Sequence, residues 1–398
     1  MIPTLHHIKL NNKTVLLRVD YNVHMKAGKI IDNSKIKESL DTIHYLLHKK
    51  CKIVIISHLG RPNGKRVKEF SLKPTYNHLQ RLLPKVKITW VPTTIGEKVR
   101  KRVSKGEASE IFFLENLRYH KEEMENDRTF AHSLASLGEI YVNDAFAVSH
   151  RKHSSIVGVT KYMPSVAGIR VVEEIRELNK AFNGKKPSVW LIGGAKLQKV
   201  DFILRSLGQA DHVLVGGALP FAFLKAKGFS IGASKTDVTS VQVAKDILRL
   251  KESKKIVLPV DFLATEKMSS KSKSFVVKSN EIKGHEIGLD LGPKTIKLFK
   301  QHLRNAHTIV WNGPLGYYEW TKYAQSTKEI GRFISKLTAT TICGGGETHD
   351  ALKKFHLNSK MTHVSSGGGA SLAFLSGKEM PALTALGENY KKFKPKRE

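Results

Sequence analysis

The sequence predicts an α/β protein made of two doubly wound parallel-sheet domains joined by a hinge helix. Three observations carry that prediction. Short runs rich in Val, Ile and Leu alternate with amphipathic stretches of helical period. Runs in the first half end in polar or charged residues, whereas most in the second half end in glycine. The 398 residues, 40% of them hydrophobic, suffice for two cores at ~100–200 residues per domain.

In chain order, the first strands are "TVLLRVDYN", "KIVIISHLGR", "EIFFLENLR" and "EIYVNDAF". Between the first two, "SKIKESLDTIHYLLHKK" places Ile36, Leu40, Ile43 and Leu47 on one helical face. Such alternation implies a parallel sheet covered on both sides. "SVAGIRVVEEIRELNKAFNG" sets Val171, Ile175, Leu178 and Phe182 at helical spacing and predicts the connecting helix. The second half repeats the pattern in "SVWLIGGAK", "HVLVGGAL", "KIVLPVDF", "TIVWNGPLG", "TATTICGGGE" and "MTHVSSGGGAS". Residues 265–284 are polar and predict an excursion or hairpin, and the tail after Gly377 is too poor in apolar residues to fold alone. The expected division is 1–165, a hinge over 166–183, 184–376, and a tail of 377–398.

Lysine and arginine total 67 against 35 acidic residues, a net charge of +32 that favours anionic partners. The lysines spread along the whole chain, apart from the short end "KKFKPKRE", so a solvated basic surface is the plain reading and enrichment of phosphorylated metabolites its corollary. Cys51 and Cys343 lie far apart without metal-ligand spacing, which fits a reducing cytoplasm and neither a disulfide framework nor a zinc site. The start "MIPTLHHIKLNNK" lacks the layout of a signal peptide. The longest apolar stretch, Val213 to Leu224, is interrupted by Gly216, Gly217 and Pro220 and is shorter than the ~18 residues of a membrane span.

Open parallel sheets bind ligands beyond the carboxyl ends of their strands. There the first half places Arg61, Arg118 and Arg151, whose planar forks suit carboxylate or phosphate and stay charged. Asp20 and Asn22 orient substrate hydroxyls or cap a turn. His58, His150 and His153 read as further donors or positioning groups in an anion pocket. In the second half, "CGGGETHDALKKF" and "SSGGGASLAFL" each lead a glycine turn into a helix, letting phosphate approach main-chain N–H groups. Glu347 beside such a phosphate calls for a bridging cation such as Mg2+, and Lys196 and Lys199 neutralise phosphoryl oxygens. Neither a Walker A pattern nor the protein-kinase signature occurs. A small anion on one half and a nucleotide on the other point to phosphoryl transfer.

The ordered motifs "RVDYNV", "SHLGRP", "LENLRYHKEE", "VNDAFAVSHRKHSS", "GGAKLQK", "LDLGPKT", "WNGPLGYYE", "CGGGET" and "SSGGGASL" resemble those of phosphoglycerate kinases over essentially the full length. The resemblance implies two Rossmann-like lobes, the first binding 3-phosphoglycerate or 1,3-bisphosphoglycerate and the second Mg-ADP or Mg-ATP, with the tail returning to the first. Matched residue by residue, substrate binding would fall to Asp20, Tyr21, Asn22, Lys35, His58, Leu59, Gly60, Arg61, Arg118, His150 and Arg151. Nucleotide binding would fall to Lys196, Lys199, Gly292, Asn312, Glu319, Gly345, Gly346, Glu347 and Thr348, with Gly367, Gly368 and Gly369 as a phosphate-binding turn and Glu347 toward the metal. Lys35, Arg61 and Lys196 would be catalytic. The implied protein is a cytoplasmic monomer performing direct in-line transfer without a phosphoenzyme, independent of membrane and nucleic acid.

Three positions depart from the family pattern. Lys35 stands where an arginine is usual and keeps the charge without the bidentate fork. Glu347 replaces the usual aspartate, one methylene longer beside a metal that demands near-octahedral geometry. "GGAKLQKV" is one residue short between its lysines. The expectation is an active, slower kinase; the alternatives are an attenuated homologue binding RNA or another polyanion, and a kinase for a different small acid.

Overall fold

β-Branched side chains crowd the backbone at Cβ and favour extended conformation, and the apolar runs of this chain become strands. In the computed structural model, which describes residues 2–196 and 199–393, the chain divides into two units, Met1–Ile175 with Glu379–Glu398, and Arg176–Lys378. The boundary falls inside the helix Ile169–Asn183.

The strands of the first unit are β1 (Thr14–Val19), β2 (Met25–Lys26), β3 (Lys29–Ile30), β4 (Lys52–Ile56), β5 (Ile88–Val91), β6 (Ile111–Leu114), β7 (Ile140–Asp144) and β8 (Ser165–Ala167). Apart from the β2–β3 hairpin they form one parallel sheet in the order β5-β6-β4-β1-β7-β8. In β1, Leu16 pairs with Val54 on one side and Tyr141 on the other. Alternate residues build separate cores: Val15, Leu17, Ile53, Ile55, Phe113 and Val142 on one face, Leu16, Val54, Ile56, Phe112, Leu114 and Tyr141 on the other. Burial of both faces is what a sheet between two helical layers requires. The C-terminal helix Pro381–Phe393 belongs to this unit, where Asn389 accepts from the Ser165 N–H at 2.8 Å and donates to the Met163 carbonyl at 2.9 Å.

The second unit contains β9 (Ser188–Ile192), β10 (His212–Val215), β11 (Ile256–Val257), β12 (Asp261–Thr265), β13 (Phe275–Lys278), β14 (Ile287–Leu291), β15 (Thr308–Asn312), β16 (Thr340–Gly344) and β17 (His363–Val364). Its parallel sheet runs β11-β10-β9-β15-β16-β17, so the winding reverses between β9 and β15. Such a reversal opens a ligand crevice at the carboxyl ends. β13-β12-β14 form a separate antiparallel sheet, and the polar stretch 265–284 supplies the turn and second strand of its hairpin.

Some elements differ from the sequence reading. "KIVLPVDF" is two strands in two sheets, because Pro259 between them has no N–H for a ladder. The helix sought from Ser165 begins at Ile169, since Ser165–Ala167 pairs with β7 instead. "SKIKESLDTIHYLLHKK" forms two helices, Ser34–Glu38 and Leu40–His48, interrupted at Ser39, whose hydroxyl donates to the Ile36 carbonyl at 2.8 Å.

Candidate active site

In the first unit, the loops after β1, β4, β6 and β7 start at neighbouring strand ends. The loop after β1 holds Asp20, whose Oδ2 lies 2.7 Å from Lys35 Nζ and whose Oδ1 accepts from the Asn22 N–H at 3.1 Å. Asn22 Oδ1 accepts from the Gly60 N–H at 2.9 Å, joining this loop to the one after β4. Gly60, at φ +63°, leaves no room for a side chain: a Cβ would sit 2.3 Å from the Phe70 ring. Its carbonyl accepts from Arg118 Nη1 at 2.7 Å, so the turn that presents Arg61 is held at both its N–H and its C=O. Asn116 completes the frame by donating to the Leu59 carbonyl at 2.7 Å and the Phe70 carbonyl at 2.9 Å.

The cations here disfavour one another. Burial pushes Arg118 down to about 10, with Arg18 and Arg151 adding to the effect. Arg151 is lowered by burial and by Arg61. His150 is pushed down to about 4 by burial, then by Arg151 and His153. His58, 2% exposed, lies well below its ordinary range because of burial first and Arg18 second. The Nε donors of Arg118 and Arg151 are buried without a hydrogen-bond partner among the described residues. A basin of mutually repelling, under-satisfied donors is relieved by an anion.

In the second unit, the glycine turns after β9 and β15 are laced together. The Gly193 N–H donates to the Asn312 carbonyl at 2.8 Å and the Gly194 N–H to the Pro314 carbonyl at 2.7 Å. A Cβ on Gly313, at φ +94°, would sit 2.1 Å from the Gly193 oxygen. Against these turns lies the Lys199 ammonium, 6% exposed, donating to the Gly193 carbonyl at 3.0 Å. Burial pushes Lys199 down to about 8, opposed by Glu347 and reinforced by Lys196. Glu347 Oε1 is 3.1 Å from Lys196 Nζ and Oε2 is 4.0 Å from Lys199 Nζ. Glu347 sits in the first turn of the helix Gly346–Lys354, which opens at Gly345. Asn312, 1% exposed, has both side-chain polar atoms unpartnered among the described residues, and its Nδ2 lies 3.2 Å from where a Gly345 Cβ would stand.

Sharing Gly194 and Glu347 with this cluster is a cavity of about 410 Å³. Gly217, Ala218, Phe221, Gly288, Leu289, Pro314 and Tyr318 give it a mainly apolar wall with Glu319 on the lining. A flat heterocycle with a hydroxylated arm fits that chemistry.

The first unit thus gathers Asp20, Asn22, Lys35, His58, Gly60, Arg61, Arg118, His150 and Arg151, and the second gathers Lys196, Lys199, Asn312, Gly345, Gly346, Glu347 and Glu319. Other expected residues stand differently. Tyr21 and Leu59 turn their side chains into the core, Tyr21 OH pairing with Ser39 Oγ at 2.8 Å, so only their main chain serves the loops. Gly292 caps the helix Pro293–Arg304 and is not on the cavity lining; a Cβ there would strike the Asp261 carboxylate at 2.3 Å. Thr348 spends its hydroxyl on the main chain, accepting from Gly313 N–H at 2.6 Å and donating to the Gly344 carbonyl at 2.7 Å. Gly367–Gly369 lead from β17 into the helix Gly369–Leu375, with Gly368 at φ +53°. The short spacing between Lys196 and Lys199 runs through Leu197 and Gln198, which lie outside the described residues. Unforeseen were the role of the apolar cavity wall, though Leu289, Pro314 and Tyr318 lie inside the motifs "LDLGPKT" and "WNGPLGYYE", and buried Arg18, which a lone cation inside "TVLLRV" signals.

The family profile described as phosphoglycerate kinase matches residues 5–378. The phosphoglycerate kinase of Pseudothermotoga lettingae is 42% identical over 395 residues, covering 98% of this chain and 99% of its own. That of Thermosipho africanus is 43% identical, covering 98% of each. Among solved structures, phosphoglycerate kinase from Coxiella burnetii superposes with a TM-score of 0.86 at 35% identity, covering 98% of this chain and 99% of that one. The enzyme from Pyrococcus horikoshii OT3 superposes with a TM-score of 0.84 at 32% identity, covering 99% of this chain and 100% of that one. Nothing in these likenesses supports the polyanion-binding alternative.

Proposed function

The chain belongs to the phosphoglycerate kinase family, whose members are transferases with a carboxyl group as acceptor, and from that premise we propose how its two clusters divide the work. 3-Phosphoglycerate or 1,3-bisphosphoglycerate binds to the basin of Arg61, Arg118, His150 and Arg151, with Asp20, Asn22, Lys35 and His58 orienting its hydroxyl and reacting end. The observation that carries this reading is the pair of buried guanidinium Nε donors on Arg118 and Arg151, unpartnered among the described residues. ADP or ATP lays its base in the 410 Å³ cavity and its ribose toward Glu319, and runs its phosphates to Lys196, Lys199 and the N–H groups of Gly345 and Gly346.

The donor set fits magnesium. Among the described residues no group of three or more His, Cys, Asp or Glu side chains gathers, so one carboxylate, Glu347, would hold the ion, with nucleotide phosphates and water completing its shell. When bound, the ion neutralises charge on the phosphate oxygens and orients them.

Toward ATP, a β-phosphate oxygen of ADP attacks the 1-phosphoryl phosphorus of 1,3-bisphosphoglycerate. The new P–O bond forms as the acyl P–O bond breaks, releasing a carboxylate, and no enzyme group is phosphorylated. Lys35 and Arg61 supply positive charge at the reacting end of the phosphoglycerate and Lys196 at the nucleotide phosphates, so catalysis is positioning plus charge stabilisation. The reading also makes the protein a cytoplasmic monomer: the machinery lies within one chain, and Cys51 and Cys343 are buried free thiols suited to a reducing compartment. No helix among the described residues is long and apolar enough to cross a membrane.

The test is ATP formation by the purified protein from ADP and 1,3-bisphosphoglycerate. Sustained turnover that stops with a chelator and returns with Mg2+ is expected. Binding of both ligands without turnover would contradict the proposal.

A further inference from the structure

β1 carries one charged side chain into the core of the first unit: Arg18, with no exposed surface. A guanidinium keeps its protons and offers donors only, so its neighbours must accept. Nη1 donates to the Val19 carbonyl, Nε donates to Ser155 Oγ at 3.0 Å, and Nη2 lies 3.1 Å from His58 Nδ1. The last contact is a hydrogen bond only when Nδ1 carries no proton. Ser155 is itself fixed by Glu123, donating from Oγ to Oε1 at 2.7 Å and from its N–H to Oε2 at 2.9 Å. Glu123 is fully buried and supplies the countercharge that a buried guanidinium needs. His153 Nδ1 stands 3.6 Å from the same carboxylate.

We infer that Glu123, Ser155 and Arg18 form a positioning chain that fixes the His58 imidazole as its Nε2–H tautomer, so that His58 meets phosphoglycerate as a neutral, single-direction donor. The inference rests on the reading that the first unit binds phosphoglycerate and adds how one of its donors is aimed. With the other tautomer, an Nδ1–H would point at a guanidinium N–H 3.1 Å away, while the Asp20 carboxylate, 3.9 Å from Nδ1, is beyond hydrogen-bond reach, and Nε2 would turn a lone pair toward an anionic oxygen. Protonating both nitrogens would add a further charge among Arg18, Lys35 and Arg118, whose proximity together with burial keeps His58 neutral.

Nitrogen-15 NMR of the His58 imidazole in the full-length protein reads the tautomer directly. Between about pH 6 and 8, the wild-type ring is expected to show a protonated Nε2 and an unprotonated Nδ1. Arg18→Met is expected to admit the second tautomer or the imidazolium and to raise the KM for 3-phosphoglycerate about five- to tenfold, with a smaller effect on kcat. Arg18→Lys keeps the charge without the fork and is expected not to restore the single tautomer. Ser155→Ala, a milder change, moves both readouts the same way by less, and decides the matter with the wild-type spectrum if Arg18→Met does not fold. An imidazolium or Nδ1–H ring in the wild type overturns the inference, as does a tautomer untouched in both Arg18→Met and Ser155→Ala. A changed tautomer with unchanged KM overturns the link to substrate. Failure of the wild type to bind 3-phosphoglycerate overturns the underlying reading instead.

Discussion

Lys35 meets Asp20 at 2.7 Å with a quarter of its side chain exposed, so its ammonium is held by one carboxylate and keeps donors for another anion. Lys35→Arg is expected to retain or raise kcat, since it restores a planar fork, whereas Lys35→Ala is expected to lower kcat about a hundredfold. Steady-state kinetics on the three proteins check this, and an unaffected alanine variant would remove Lys35 from the chemistry. At Lys199 the sign of a pH effect follows from its amine being pushed down to about 8. Below that value the protonated amine attracts phosphate; above it the neutral form does not, and a bound anion must first draw a proton back. The Kd for ADP is therefore expected to weaken as pH rises through about 8, while Lys199→Met binds more weakly and shows no break there. Calorimetry across that range is the check. The clustering of Arg61, Arg118 and Arg151, proposed above to bind an anion, could be anticipated because each follows an apolar run. Which of Lys196 and Lys199 would be buried was not legible, because burial of Lys199 depends on a glycine distant in sequence, Gly313, as well as on nearby Gly193.

Among the elements, the turn after β15 is the tightest joint of the second unit. Gly313→Ala puts an L side chain at φ +94° and against the Gly193 oxygen, and is expected to destabilise the protein by at least about 1–2 kcal/mol. Denaturant unfolding measures it, and a variant as stable as the wild type would show that the two turns can separate freely. Most parallel-sheet strands were readable because strands buried on both faces are continuous apolar runs, as "KIVII" and "IFFL" are, whereas β5 and β8 were not anticipated. β14 was not recognised as a strand: "IGLDL" carries a glycine and an aspartate. Its place depends on Asp290 accepting from the Ser326 and Leu291 N–H groups, a tertiary matter that local pattern does not show.

For the whole molecule, the surplus of 67 basic over 35 acidic residues sets a positive field that draws anionic metabolites toward both units. That field gives no discrimination by itself. Discrimination is assigned to the two chemically unlike sites, a basin of guanidinium forks and imidazoles in one unit and a main-chain and lysine phosphate site beside an apolar cavity in the other. The family was legible from ordered motifs, whereas the assembly of the cavity wall from Gly217, Ala218, Phe221, Leu289, Pro314 and Tyr318 came only with the fold, since these residues come from stretches far apart in sequence. The most direct measurement is calorimetric titration of the full-length chain and of Arg118→Met and Lys199→Met with 3-phosphoglycerate and, separately, with Mg-ADP. The account predicts that Arg118→Met loses affinity for 3-phosphoglycerate alone and Lys199→Met for Mg-ADP alone. Equal weakening of both ligands by either substitution, or of neither by both, would contradict it.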